Sequence, residues 1–171
     1  MKAAMGFLGA AALAFAVTAQ AAGPTDPEIA HIAYTAGNID IAAAKQALAK
    51  SHNATVRAFA SEMVRDHQAV NDKALALLKE LKVTPQDNAT SDALSKQADA
   101  TLKRFAKLNE HDFDHAYLNN EVAYHGTVNS ALKTTLIPSA TNAQLKSLLE
   151  TGLTLFTEHQ KHAEHLAATL E

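Results

Sequence analysis

Three histidines are the side chains best placed to do chemistry in this sequence: His67, His125 and His159 each interrupt an apolar stripe of helical spacing. Around the first, Val56, Ala60, Met63, His67, Val70, Ala74, Leu77 and Leu81 recur at alternating steps of four and three. That spacing keeps one stripe of a helix facing a neighbour for many turns. Leu145, Leu149, Gly152, Phe156, His159, Ala163, Leu166 and Leu170 repeat the pattern, and His125 lies between Val122 and Val128 in a third apolar set. An imidazole buried on such a stripe without a partner costs about 1–3 kcal/mol, so each ring must meet a hydrogen-bond partner or a metal.

Four long helices must position them. The first runs from Glu28 to Lys50, with Asp26 as its cap, Pro27 at its first position and Gly37-Asn38 as a weak point. Ser51-His52-Asn53 breaks it, and Asn53 caps a second helix that reaches Lys82, so the two form an antiparallel hairpin. Thr90–Leu108 reads as a more polar helix with a narrow stripe of Leu94, Ala98, Leu102 and Phe105, suited to lying over the outside of a bundle. After a break at Asn109–Asp112, a helix from Phe113 to Leu136 is closed by Ile137-Pro138-Ser139, and the last helix starts near Asn142. The lateral helix is long enough, about 28 Å at 1.5 Å per residue, to return the chain along the bundle. The expectation is an all-α, ferritin-like four-helix bundle with a long helical crossover between the second and third core helices.

Helical rise then sets the heights of the three rings. His67 lies 14 residues beyond Asn53, about 21 Å along its helix. His125 lies 13 residues beyond Asp112, about 20 Å along a parallel helix, and His159 stands 12 residues before Glu171 on a returning one, about 18 Å from its end. They fall within about one turn of each other, level with Gly37–Asp40 of the first helix. Three imidazoles at one height can bind Zn or Cu, with Glu121, Met63 and Asp40 as additional candidate ligands. They also suit a metal-free polar layer, bonded to Tyr117 or Tyr124, to acids and to water, that fixes packing in a structural or interaction protein.

The N-terminus and composition narrow the setting. Met1-Lys2, the uncharged run Ala3–Val17 and the small-x-small triplet Ala19-Gln20-Ala21 form a signal peptide over residues 1–21, leaving 22–171 as one exported domain of the periplasm with no transmembrane span after cleavage. Without Lys2, one of 15 basic residues, the 18 acidic residues give a net charge of −4. The bases are scattered, which argues against nucleic-acid binding. With no cysteine, thiolate chemistry and disulfides are excluded.

Other patterns carry less. Glu158, His162 and His165 form a row read as a solvated face, Arg65-Asp66 are expected at solvent or an inter-helix rim, and Asp114 with Tyr117 are expected as a cap and a buried hydroxyl. Carboxylate-bridged di-iron bundles need Glu-x-x-His on two helices. The chain has it once, at Glu28–His31, so a ferroxidase or oxidase is not expected. No motif arrangement supports nucleophilic hydrolysis, and a non-catalytic protein with a metal-handling or envelope-stress role is expected.

The runs Met63-Val64-Arg65-Asp66-His67, Phe113-Asp114-His115-Ala116-Tyr117-Leu118 with Glu121-Val122 and His125, and Leu155-Phe156-Thr157-Glu158-His159 with His165-Leu166 resemble the exported bacterial family called domain of unknown function 4142. The resemblance spans essentially all of residues 22–171 and implies a ferritin-like bundle in the bacterial envelope. It implies no particular activity, substrate or cofactor. Asn109 stands where that family's pattern has Gly, at the boundary of the helix before Phe113.

Overall fold

A computed structural model describes residues 23–170, and the expected signal peptide over 1–21 lies outside the described residues. Everything regular among them is helical: α1 (Asp26–Lys50), α2 (Ala54–Leu81), α3 (Ala89–Lys107), α4 (Glu110–Ala131), a π-helical turn Leu132–Leu136, α5 (Ile137–Ser139) and α6 (Ala143–Thr169). None of these helices is long and apolar enough to cross a membrane.

The helix starts follow from short polar side chains accepting otherwise orphaned backbone N–H groups. Asn53 accepts from Thr55 and Val56, Asn88 from Thr90 and Ser91, and Asn142 from Gln144 and Leu145. Asn109 accepts from Asp112, so α4 begins at Glu110, three residues before the expected Phe113. At α1 the cap is Thr25 rather than Asp26, with the Thr25 N–H and hydroxyl both donating to Glu28. Asp26 instead accepts from the Thr141 N–H and hydroxyl and from the Asn142 N–H, tying the start of α1 to the corner before α6. The expected weak point at Gly37-Asn38 is also absent, because α1 runs through it unbroken. A Cβ at Gly37 would collide with the Asn71 side chain, whose amide donates to Asn38 at 3.1 Å, so the missing side chain allows a close approach of α2.

α1 packs most closely on α2, and α4 on α6; α2 also meets α6, and α3 lies chiefly over α1. Small residues on α1, Ala43, Ala44 and Ala47, are almost fully buried, which allows that approach. α3 buries Phe105 and Ser91 but little else, as its narrow stripe requires. The core falls into two apolar clusters. One, at the α1–α2 turn, is filled by Phe59, Met63, Phe105, Phe113, Tyr117 and Leu166. The other joins Ile29, Ile32, Leu132, Leu136, Leu145 and Leu149 and surrounds a cavity of about 580 Å³. The histidines lie between the two.

Candidate metal centre

α2, α4 and α6 bring the three rings together. The ring centroids of His67, His125 and His159 form a triangle with all three sides 5.5 Å, and each residue is at most 3% exposed. One nitrogen from each ring lies within 4.8 Å of the other two. α1 adds Asp40 at the same level, as its height along the helix requires.

The closest atoms are Nε2 of His67 and Nε2 of His125, 3.4 Å apart, with Oδ2 of Asp40 3.6 Å from each. A tetrahedral zinc site with arms of about 2.0–2.1 Å has ligand-to-ligand edges of about 3.3–3.4 Å. These three atoms therefore approximate one face of such a tetrahedron. Nδ1 of His125 donates to the Glu121 carbonyl at 3.0 Å, which leaves its Nε2 lone pair facing the shared space. On His159, Nε2 meets Oδ2 of Asp66 at 3.1 Å and leaves Nδ1 free. A carboxylate holding the far nitrogen of an imidazole is the usual support of a metal-binding histidine.

Nδ1 of His67 and of His159 are buried without a hydrogen-bond partner among the described residues, and the buried oxygens of Asp40 and Glu121 find partners chiefly within the carboxyl pair. Buried polar atoms are usually satisfied, so this many under-satisfied ones around one layer mark a place built to hold something polar. Burial lowers the pKa of His67 to about 3, reinforced by His159 and opposed by Asp66. Burial also lowers that of His125 to about 4, opposed by Asp40 and reinforced by His67 and His159. Both rings are thus neutral ligands near pH 7. Burial raises Asp40, with His125 and a hydrogen bond from Glu121 opposing, and raises Glu121 well above the usual carboxyl range, with the charge of Asp40 and that hydrogen bond adding to the rise. The two carboxyls lie within 4.8 Å of each other, so both ionise cheaply only if a cation is present. The buried His, Asp and Glu groups can hold a metal ion.

The additional candidates divide. Asp40 and Glu121 join the layer; Met63 is fully buried in the apolar cluster of Phe59, Tyr117 and Leu118, where a thioether is an ordinary packing group. Arg65 is exposed as expected, but Asp66 is not merely a rim residue, because it bonds both Arg65 and the buried His159. Asp114 is buried within α4 instead of capping it, and the Tyr117 hydroxyl finds no partner among the described residues. Tyr124 donates to the Ala36 carbonyl at 2.8 Å. Glu158, His162 and His165 are exposed, consistent with a solvated face. Phe156 stacks on His67 at 4.6 Å and 5°; its place one turn before His159 on the α6 ladder was the only sequence signal for it.

No curated protein and no solved structure matches the chain. The family described as Domain of unknown function (DUF4142) matches residues 10–166, nearly the whole sequence, and the chain belongs to that family.

Proposed function

We propose that this protein is an exported, ferritin-like four-helix bundle of the bacterial envelope that binds one divalent transition metal through His67, His125 and His159, with Asp40 as the fourth ligand and Glu121 balancing charge beside it. The supporting observation is the arrangement of His67 Nε2, His125 Nε2 and Asp40 Oδ2, with separations of 3.4, 3.6 and 3.6 Å, beside under-satisfied buried carboxylate oxygens. Three imidazoles and a carboxylate suit Zn, which imposes no geometry of its own, and they also accept Cu(II). A ligand set without an open position fits metal holding better than catalysis. The cellular role that follows is metal handling or protection of the envelope.

The competing reading is a metal-free layer that only fixes packing, favoured by the same 3.4 Å contact, which is also within range of a long imidazole–imidazole hydrogen bond. Protein isolated without a histidine tag should carry close to one Zn or Cu per chain by elemental analysis. Apo protein should show a rise in melting temperature on adding either ion, and both effects should disappear in His67→Ala, His125→Ala and His159→Ala. Absence of stoichiometric metal together with no thermal shift would establish the packing layer instead.

A further inference from the structure

We propose that the cavity below the imidazole layer is a binding site for one long-chain fatty acid, its aliphatic chain lying along the helices. The lining runs from His67 to Leu78 on α2, from Tyr124 through the π turn to Leu136, and from Leu145 to Phe156 on α6. Each stretch covers about 16–18 Å of helix. Spread over that length, about 580 Å³ is an elongated space that an aliphatic chain can follow along the helices. The volume is within the roughly 300–1,000 Å³ of small-molecule sites. It is also about four times the roughly 150 Å³ that suffices for a benzene-sized ligand.

The chemistry of the wall selects the same ligand. Ile32, Val70, Leu78, Val128 and Leu149 give it an aliphatic surface. Of the polar groups at its inner end, Tyr124 is spent on the Ala36 carbonyl, Asn71 on Asn38 and His125 on the Glu121 carbonyl, which leaves Nδ1 of His67 without a partner among the described residues. At the other end, half-buried Glu28 and Asn88 and exposed Thr90 mark a mouth that offers a carboxylate head no partner, so the head stays out in water while the chain enters. The π turn Leu132–Leu136 is a second, independent observation. Its extra residue per turn widens α4 where Leu132 and Leu136 line the channel, and such turns recur at functional sites.

The proposal does not depend on the metal site, and the test keeps them apart. The protein, as isolated and again after chelator treatment, is titrated with cis-parinaric acid and followed by fluorescence. One saturable site is expected in both samples, with displacement of the probe by palmitate. Ala74→Phe on α2 and Val128→Phe on α4, both placed in the wall, should each weaken binding by at least about tenfold while thermal unfolding stays cooperative. No saturable binding by the unaltered protein, no displacement by palmitate, or full affinity in both cooperatively folded variants would overturn the proposal.

Discussion

Replacing Glu121 by Gln should make the metal-free protein markedly more sensitive to acid. Burial pushes His67 down to about 3 and His125 down to about 4, so both stay neutral in the fold at pH 5. The unfolded chain begins to protonate the same rings below about 6.5, and each ring then removes about 1.4 kcal/mol per pH unit from the folded state. From pH 7 to pH 5 the two together amount to a loss of about 4 kcal/mol. Glu121 acts with the opposite sign. Burial and the neighbouring Asp40 raise its pKa well above the usual range, so the fold keeps a proton that the unfolded chain releases above about 4.5. Acidification over the same interval therefore returns part of that loss, and Asp40, also raised by burial, adds to that return. Glutamine preserves the shape and removes this titration. Between pH 7 and 5 Glu121→Gln should thus lose more stability than the wild-type protein, up to the about 4 kcal/mol of the two rings. Urea unfolding followed by circular dichroism, in chelator at pH 7, 6 and 5, measures both. Equal acid sensitivity in the two proteins would refute the assignment of a neutral, proton-holding Glu121 beside neutral imidazoles.

Three other outcomes are expected. Asp66→Asn should weaken metal binding by about 10–100-fold in competition with a chelating dye, because the carboxylate that orients His159 is lost. Met63→Leu should leave metal affinity unchanged and cost less than about 1.5 kcal/mol in denaturant unfolding, since Met63 packs among Phe59, Tyr117 and Leu118. Tyr124→Phe should cost about 1 kcal/mol by the same assay, the net value of its bond to the Ala36 carbonyl.

The helices and the common height of the three histidines were legible because both depend only on spacing along one chain. The four-and-three ladders of α2 and α6 identify the inward stripe, and a fixed rise per residue places His67, His125 and His159 at one level. What was not legible depends on how helices are turned toward one another. Asp66 neighbours His67 in sequence and points about 100° away around α2, so it read as a rim residue. Only the position of α6 beside that flank turns it toward His159. Asp40 and Glu121 were placed at the right height, but no periodicity shows that two carboxyls on different helices face each other. Met63 occupies a ladder rung one turn from His67, yet a rung can belong to an apolar cluster as readily as to a polar layer. The π turn leaves no mark either, because Leu132-Lys133-Thr134-Thr135-Leu136 has ordinary helical composition.

The division of the core has a consequence for how the molecule opens. On one side of the imidazole layer, Phe59, Phe105, Phe113 and Tyr117 interlock, with Phe113 and Tyr117 stacked at 6.0 Å and Phe105 edge-on to Phe113 at 5.5 Å. On the other side, helices surround a void. Local opening draws on regions with few buried contacts, so backbone amides around Leu132–Leu136 and the first turns of α6 should exchange with solvent deuterium well before those of Phe59 or Tyr117. The bundle should behave as two cooperative units of unequal resistance, with the three histidines at the seam between them.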